Sequence, residues 1–145
     1  MRIIDIWKVK IPKTCHFLAT DLPELTQSNS KIWRAFLGVS GLTENDAKQT
    51  ITDNSIEPLI WFSPLGLRTG GYFDPSVSGR ISLSFDIALK FEVESNNQIA
   101  QHFMRLLALH EICHWAWHKQ KKPDPDLAGE KFELESGENI DYSWL

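Results

Sequence analysis

Five consecutive residues, His110-Glu111-Ile112-Cys113-His114, combine the side chains and the spacing needed to hold a metal ion and move a proton. On a helix, positions 110 and 114 lie on one face about one turn apart, so two imidazole nitrogens can reach a single ion. Zinc accepts neutral imidazole and carboxylate ligands at about 2.0–2.2 Å. Glu111 is rotated by about 100° from His110, which sets its carboxylate beside such an ion rather than on it. There it can take a proton from a water whose pKa zinc lowers toward ~7. This is the H-E-x-x-H arrangement, and the chemistry it implies is hydrolysis by an activated water.

The neighbours of the run argue against a chance match. The motif sits inside FMRLLALHEICHWAW, residues 103 to 117, which is apolar on nearly every side. A helix of that kind is a buried one. Burying two histidines and a glutamate without a partner costs several kcal/mol, and a metal supplies the partner.

A catalytic zinc needs a third protein ligand and one open position. Eighteen residues separate His114 from Glu133. The spacing H-E-x-x-H-x18-E resembles the gluzincin branch of the zincin metallopeptidases, in which a Glu from the following helix completes the site. His110, Glu111, His114 and Glu133, the last within GEKFE at 129 to 133, carry that resemblance. It implies zinc held by His110, His114 and Glu133, with Glu111 as general base acting on a peptide (amide) bond. Glu130, one turn earlier on the same helix face, is the rival ligand, ahead of Asp126 and Glu135. The Asn-Glu or Glu-x-x-x-Asp neighbourhood of that branch is absent around Glu133. The segments LSFDIALKFE, LLALHEICHW and GEKFELESG are also similar to small bacterial HExxH domains of secreted effector toxins, often joined to delivery modules. That likeness implies a compact toxin-like metallopeptidase. Its partners would be a peptide or protein substrate and a delivery or inhibitor protein.

Other residues carry weaker signals. His118 extends the ladder of histidines, but eight residues span about 12 Å, too far to share His110's ion in a straight helix. It is read as a helix-end histidine, with substrate binding or oxyanion stabilisation as the alternative. Cys113 faces away from the ligand pair and reads as an inert core thiol. Two tyrosines could stabilise an oxyanion: Tyr142, which follows the third-ligand helix and is preferred, and Tyr72, in a glycine-rich loop. Arg68 and Arg80 read as solvated.

The elements that must position these groups follow from periodicity and punctuation. Residues 2 to 8 read as a short strand and 11 to 30 as irregular. Residues 32 to 37 read as one helical turn ended by Gly38 and Gly41. Thr43 caps a helix to about Asp53. A buried strand follows at 58 to 63, then a loop or irregular hairpin at 64 to 79. Residues 80 to 85 alternate as a half-buried strand, matching the position of the edge strand along which zincins lay a peptide, with full pairing inside the sheet as the alternative. A short helix spans 86 to 92. The longest helix, opened by Ser95, runs from about Asn97 to Gln120 and is ended by Pro123 and Pro125. A last helix covers 126 to 135 and stops at Gly137. The expected fold is α+β, a minimal zincin-like domain with a small mixed sheet packed on the central motif-bearing helix.

Bulk properties fit one domain over residues 1–145. The chain has 42% hydrophobic and 23% charged residues, an ordinary globular balance. A net charge of −4 with no basic stripe excludes nucleic acid as the expected partner. The KQKK run at 119 to 122 reads as a helix-end decoration. Two cysteines make no disulfide framework. No apolar run approaches ~18 residues, so no membrane partner is expected. No signal-peptide pattern opens the chain. The expected location is the cytoplasm, or outside it by export without an N-terminal signal. Two further function classes compete with a zinc peptidase. One is a metal-stabilised binding or regulatory module or pseudoenzyme, and the other is a zinc amidase acting on cell-wall peptides. Glu111 argues against the first, because a purely structural zinc has no use for it.

Overall fold

A computed structural model describes residues 1–123 and 125–145. The fold is α+β, as expected: helices surround a four-stranded mixed sheet. The first strand, β1 (Arg2–Ile3), is much shorter than the alternation at 2 to 8 suggests. The chain turns at once into helix α1 (Asp5–Lys10). The buried residues here are Ile3, Trp7 and Ile11, spaced i, i+4, i+8, while Ile6 and Val9 are exposed. That is a helical stripe, and the run of β-branched residues masks it. Trp7 packs edge-on against Trp61 and Phe62, at 5.3 and 5.4 Å.

The segment expected to be irregular is helix α2 (Pro12–Leu25). Its prolines lie where a helix tolerates them, at the first position and in the last turn. Its capping residue is not a neighbour in sequence. Glu92 accepts hydrogen bonds from the backbone N–H groups of Lys13 (3.1 Å) and Thr14 (2.6 Å). Helix α3 (Lys31–Ser40) is longer than one turn. Ser30 caps it by accepting from Trp33 N, and Gly41, in the left-handed region at φ 71°, ends it. Gly38 lies within it with open space beside it, so it breaks nothing. Helix α4 (Glu44–Thr52) starts on Thr43 as expected.

Strands β2 (Leu59–Ser63), β3 (Gly71–Tyr72) and β4 (Arg80–Ser84) complete the sheet, in the order β1-β2-β4-β3. β1 and β4 flank β2 in parallel, and β3 pairs antiparallel with β4. Two expectations change here. β4 is not half-buried, because Ser82 and Ser84 are as enclosed as Ile81 and Leu83. Nor is β4 the free edge: β3, from the glycine-rich loop, covers it. A central strand between parallel and antiparallel neighbours is buried on both faces, and its serines are satisfied locally. Ser84 Oγ, for example, donates to Gly66 O at 2.6 Å.

Helix α5 (Phe85–Glu94) leads to α6 (Gln98–Lys119), the 22-residue spine of the molecule, with Asn97 rather than Ser95 as its cap. A 3-10 turn (Pro125–Leu127) and helix α7 (Ala128–Ser136) follow, and Gly137, φ 70°, stops the chain's last helix. α6 packs against α2, α3, α7 and β4, which explains why it is apolar all round. Among the described residues, no helix is long and apolar enough to cross a membrane.

Candidate metal centre

Helix α6 presents His110 and His114 side by side, with their Nε2 atoms 3.0 Å apart. Each ring is fixed from behind. His110 Nδ1 meets Glu133 Oε1 at 2.6 Å, and His114 Nδ1 meets the carbonyl of Pro125 at 2.7 Å. Both of these partners only accept, so each Nδ1 carries its proton and donates. With both rings neutral, the Nε2 lone pairs are left bare and facing one another. Neutral imidazoles in that arrangement repel unless a cation lies between them.

The third donor comes from α7. One ligand atom each from His110, His114 and Glu130 lie within 4.8 Å of one another. This approach depends on Gly129. A Cβ built there would sit 2.2 Å from His110 Nε2, inside the imidazole and in the space a ligand ion needs. The donor set of two imidazoles and one carboxylate fits a metal ion. Glu133, expected as the third ligand, instead lies at the far nitrogen of His110. Its other oxygen accepts from the N–H of Ile140 at 3.1 Å.

Burial disfavours charge on both histidines, but they respond differently. The hydrogen bond to Glu133 and the surrounding carboxylates of Glu111, Glu133 and Glu130 more than offset burial at His110 and raise its pKa. At His114 burial wins, and its pKa falls. Burial would also raise Glu133, yet the contacts with His110 and Ile140 hold it below the usual carboxylate range.

Glu111 is only 4% exposed, and its Oε2 has no hydrogen-bond partner among the described residues. Burial, with Glu130 nearby, pushes its pKa up to about 7, against the opposing pull of His110. The carboxylate lies against β3. A Cβ on Gly71 would come within 2.8 Å of Glu111 Oε1 and 2.7 Å of the Ser82 carbonyl. Glycine at 71 is thus what lets the edge strand close over this carboxylate.

Together these groups line an open cleft of about 260 Å³, walled by Gly71, Tyr72 and Phe73 on one side and by Asp126 and Glu130 on the other. Of the two tyrosines, Tyr72 borders the cleft and Tyr142 does not. Tyr142 stands in a 3-10 turn (Tyr142–Trp144), edge-on to Phe103 at 5.4 Å, with its hydroxyl beside Gly70. Burial, then the charges of Glu133 and Glu111, raise its pKa. His118 lies beyond the pair, its ring 5.2 Å from that of Phe73. Cys113 is fully buried, and burial pushes its thiol up. Arg80 lies over the Trp61 ring at 5.4 Å, while Arg68 is exposed. Of the KQKK run, Lys119 pairs with Glu57 and Lys122 covers Trp117.

A buried H-E-x-x-H helix facing a carboxylate helix suggests a metallopeptidase, and a family comparison bears on that directly. The sequence model of a family described as Metallopeptidase toxin 3 matches residues 7–142. The chain belongs to the metallopeptidase toxin 3 family. No curated protein and no solved structure matches it. As a metallopeptidase toxin domain, the chain calls for a metal, and His110, His114 and Glu130 are described residues grouped to hold one. Sequence reasoning named all three but missed Gly71 and Gly129, whose absent side chains admit β3 and α7. A weak signal existed. Each glycine lies in a segment already under suspicion, the Gly70-Gly71 pair of the loop and the residue before Glu130.

Proposed function

We propose that this domain hydrolyses peptide bonds with zinc held by His110, His114 and Glu130, and with Glu111 as general base. The observation that carries the reading is a buried carboxylate with an unpartnered oxygen beside two converging imidazole lone pairs. A structural site has no reason to keep a bare buried carboxylate, whose desolvation costs several kcal/mol. A bound zinc ion supplies Lewis acidity toward the scissile carbonyl and makes water a nucleophile near neutral pH.

The chain's own groups do the rest. Glu111 takes the proton of the attacking water and hands it to the leaving nitrogen, a role suited to a carboxyl whose pKa burial raises. Glu133 and Pro125 hold His110 and His114 in the tautomers that leave Nε2 free. In this reading Glu133 orients a ligand rather than being one. β3 positions the peptide. Because Gly70 O accepts from Ser84 N, residues 70 and 72 bond to β4, and Gly71 turns its N–H and carbonyl to the open edge. An extended main chain can pair there. Tyr142 is given no reacting role. It braces the Gly70 backbone from behind. A toxin peptidase of this kind acts on a protein substrate, and we infer a delivery or neutralising protein as its further partner.

The test is Glu111→Gln. Bound zinc, measured by plasma mass spectrometry, is expected to stay at the wild-type amount. Cleavage of an unfolded protein should fall by a factor of about 10²–10⁴. Unchanged cleavage, or undiminished toxicity in a host cell, would sink the assignment.

A further inference from the structure

We infer that the cleft selects peptides bearing a Lys or Arg side chain near the cleaved bond, with Asp126 as the selecting carboxylate. The inference rests on the peptidase reading above. Three acids line the cleft beside the two histidines, Glu111, Asp126 and Glu130, and no Lys or Arg does. Two of the acids are absorbed by the proposed chemistry, where a divalent cation balances them. Asp126 is the charge left over. It is exposed and makes no hydrogen bond or ion pair among the described residues. It is also held in place. It is the middle residue of the turn Pro125–Leu127, and the carbonyl of Pro125 is the acceptor of His114 Nδ1. Helix α6 therefore fixes the backbone from which this carboxylate projects.

The facing wall adds a surface that suits a cation. Phe73 borders the same cleft and is braced on α6 by His118. Aromatic faces attract ammonium and guanidinium groups. Among the described residues, no Lys or Arg side chain reaches the cleft. Lys131 on α7 and Lys122, just beyond α6, lie over the Trp117 ring. Because Asp126 is solvated, the pair is screened, and the expected preference is modest, about tenfold in kcat/KM.

The probe is a mixture of peptides from a digested proteome, incubated with the zinc-loaded protein, with residues flanking each cut read by mass spectrometry. Lys and Arg are expected to be enriched at one position beside the cut. Asp126→Asn should flatten that enrichment, and Asp126→Lys should turn it toward Asp and Glu. A second measurement uses zinc-loaded Glu111→Gln as a non-cleaving trap and compares binding of two peptides differing only in Lys against norleucine. The Lys peptide should bind about tenfold tighter, less so as salt rises. Cutting without basic enrichment, or enrichment that survives Asp126→Asn, overturns this inference and leaves the peptidase reading standing. If nothing is cut, the peptidase reading fails, and equal binding of the two peptides to the trap removes the cleft's charge preference as well.

Discussion

Arg105 and Glu111 lie on the same helix, and their surroundings differ sharply. The Arg105 guanidinium is 22% exposed and gripped by both oxygens of Asp21, at 2.7 and 2.6 Å. Glu111 is more deeply enclosed, yet no donor reaches its Oε2 among the described residues. The first is a charge whose solvation has been replaced by a fitted partner, which joins α6 to α2. The second is a charge kept without one, at a cost to the fold. The contrast separates a group that holds structure from a group left open for the reacting role we propose.

Substitutions test that contrast, and the one at the satisfied end should cost most. Asp21→Ala strands Arg105 and should lower unfolding stability in urea by about 2–4 kcal/mol, somewhat less than a fully buried pair because both groups touch solvent. A loss below about 1 kcal/mol would put Arg105 among ordinary surface pairs. Next come the two carboxylates of α7. Glu133→Ala should weaken zinc binding roughly 10–100-fold, as loss of an orienting partner does, and Glu130→Ala should weaken it further. The reverse order, read by competition with a zinc indicator, would return the ligand role to Glu133.

A smaller effect of opposite sign is expected at Glu111. In chelator-treated protein at neutral pH, Glu111→Gln should stabilise the fold by about 1–2 kcal/mol, because it removes a carboxylate whose ionised form burial penalises. Destabilisation would mean that the carboxylate already has a structural partner. The smallest effect belongs to the thiols. Burial pushes Cys15 up to about 12 and Cys113 higher still, so both remain protonated in the folded protein well above neutral pH. Iodoacetamide at pH 8 should label neither until urea unfolds the chain.

What was legible in the sequence was local. The H-E-x-x-H spacing fixes the two imidazoles on one face because a helix repeats every 3.6 residues, and the apolar stretch around it announces burial. Thr43 before α4 and Gly137 after α7 act on backbone groups within three residues of themselves. Where local signals conflicted with long-range partners, the reading failed. Helix α2 looked irregular because its cap, Glu92, lies 78 residues from Thr14. The strand at 2 to 8 dissolved into a helix because Trp7 is anchored by Trp61 and Phe62.

Local sequence signals were therefore enough to place the two imidazoles on one face, the carboxylate beside them and the helix that buries them. Which carboxylate of α7 stands with the histidines depends on how the helices pack. Glu130 and Glu133 lie one turn apart, so spacing cannot rank them. Rank depends on how far α7 sinks onto His110, and Gly129 sets that depth. The same holds for the strand that closes over Glu111. β3 is two residues long, too short for any pattern to reveal, and it exists because Gly71 leaves room between the Ser82 carbonyl and Glu111.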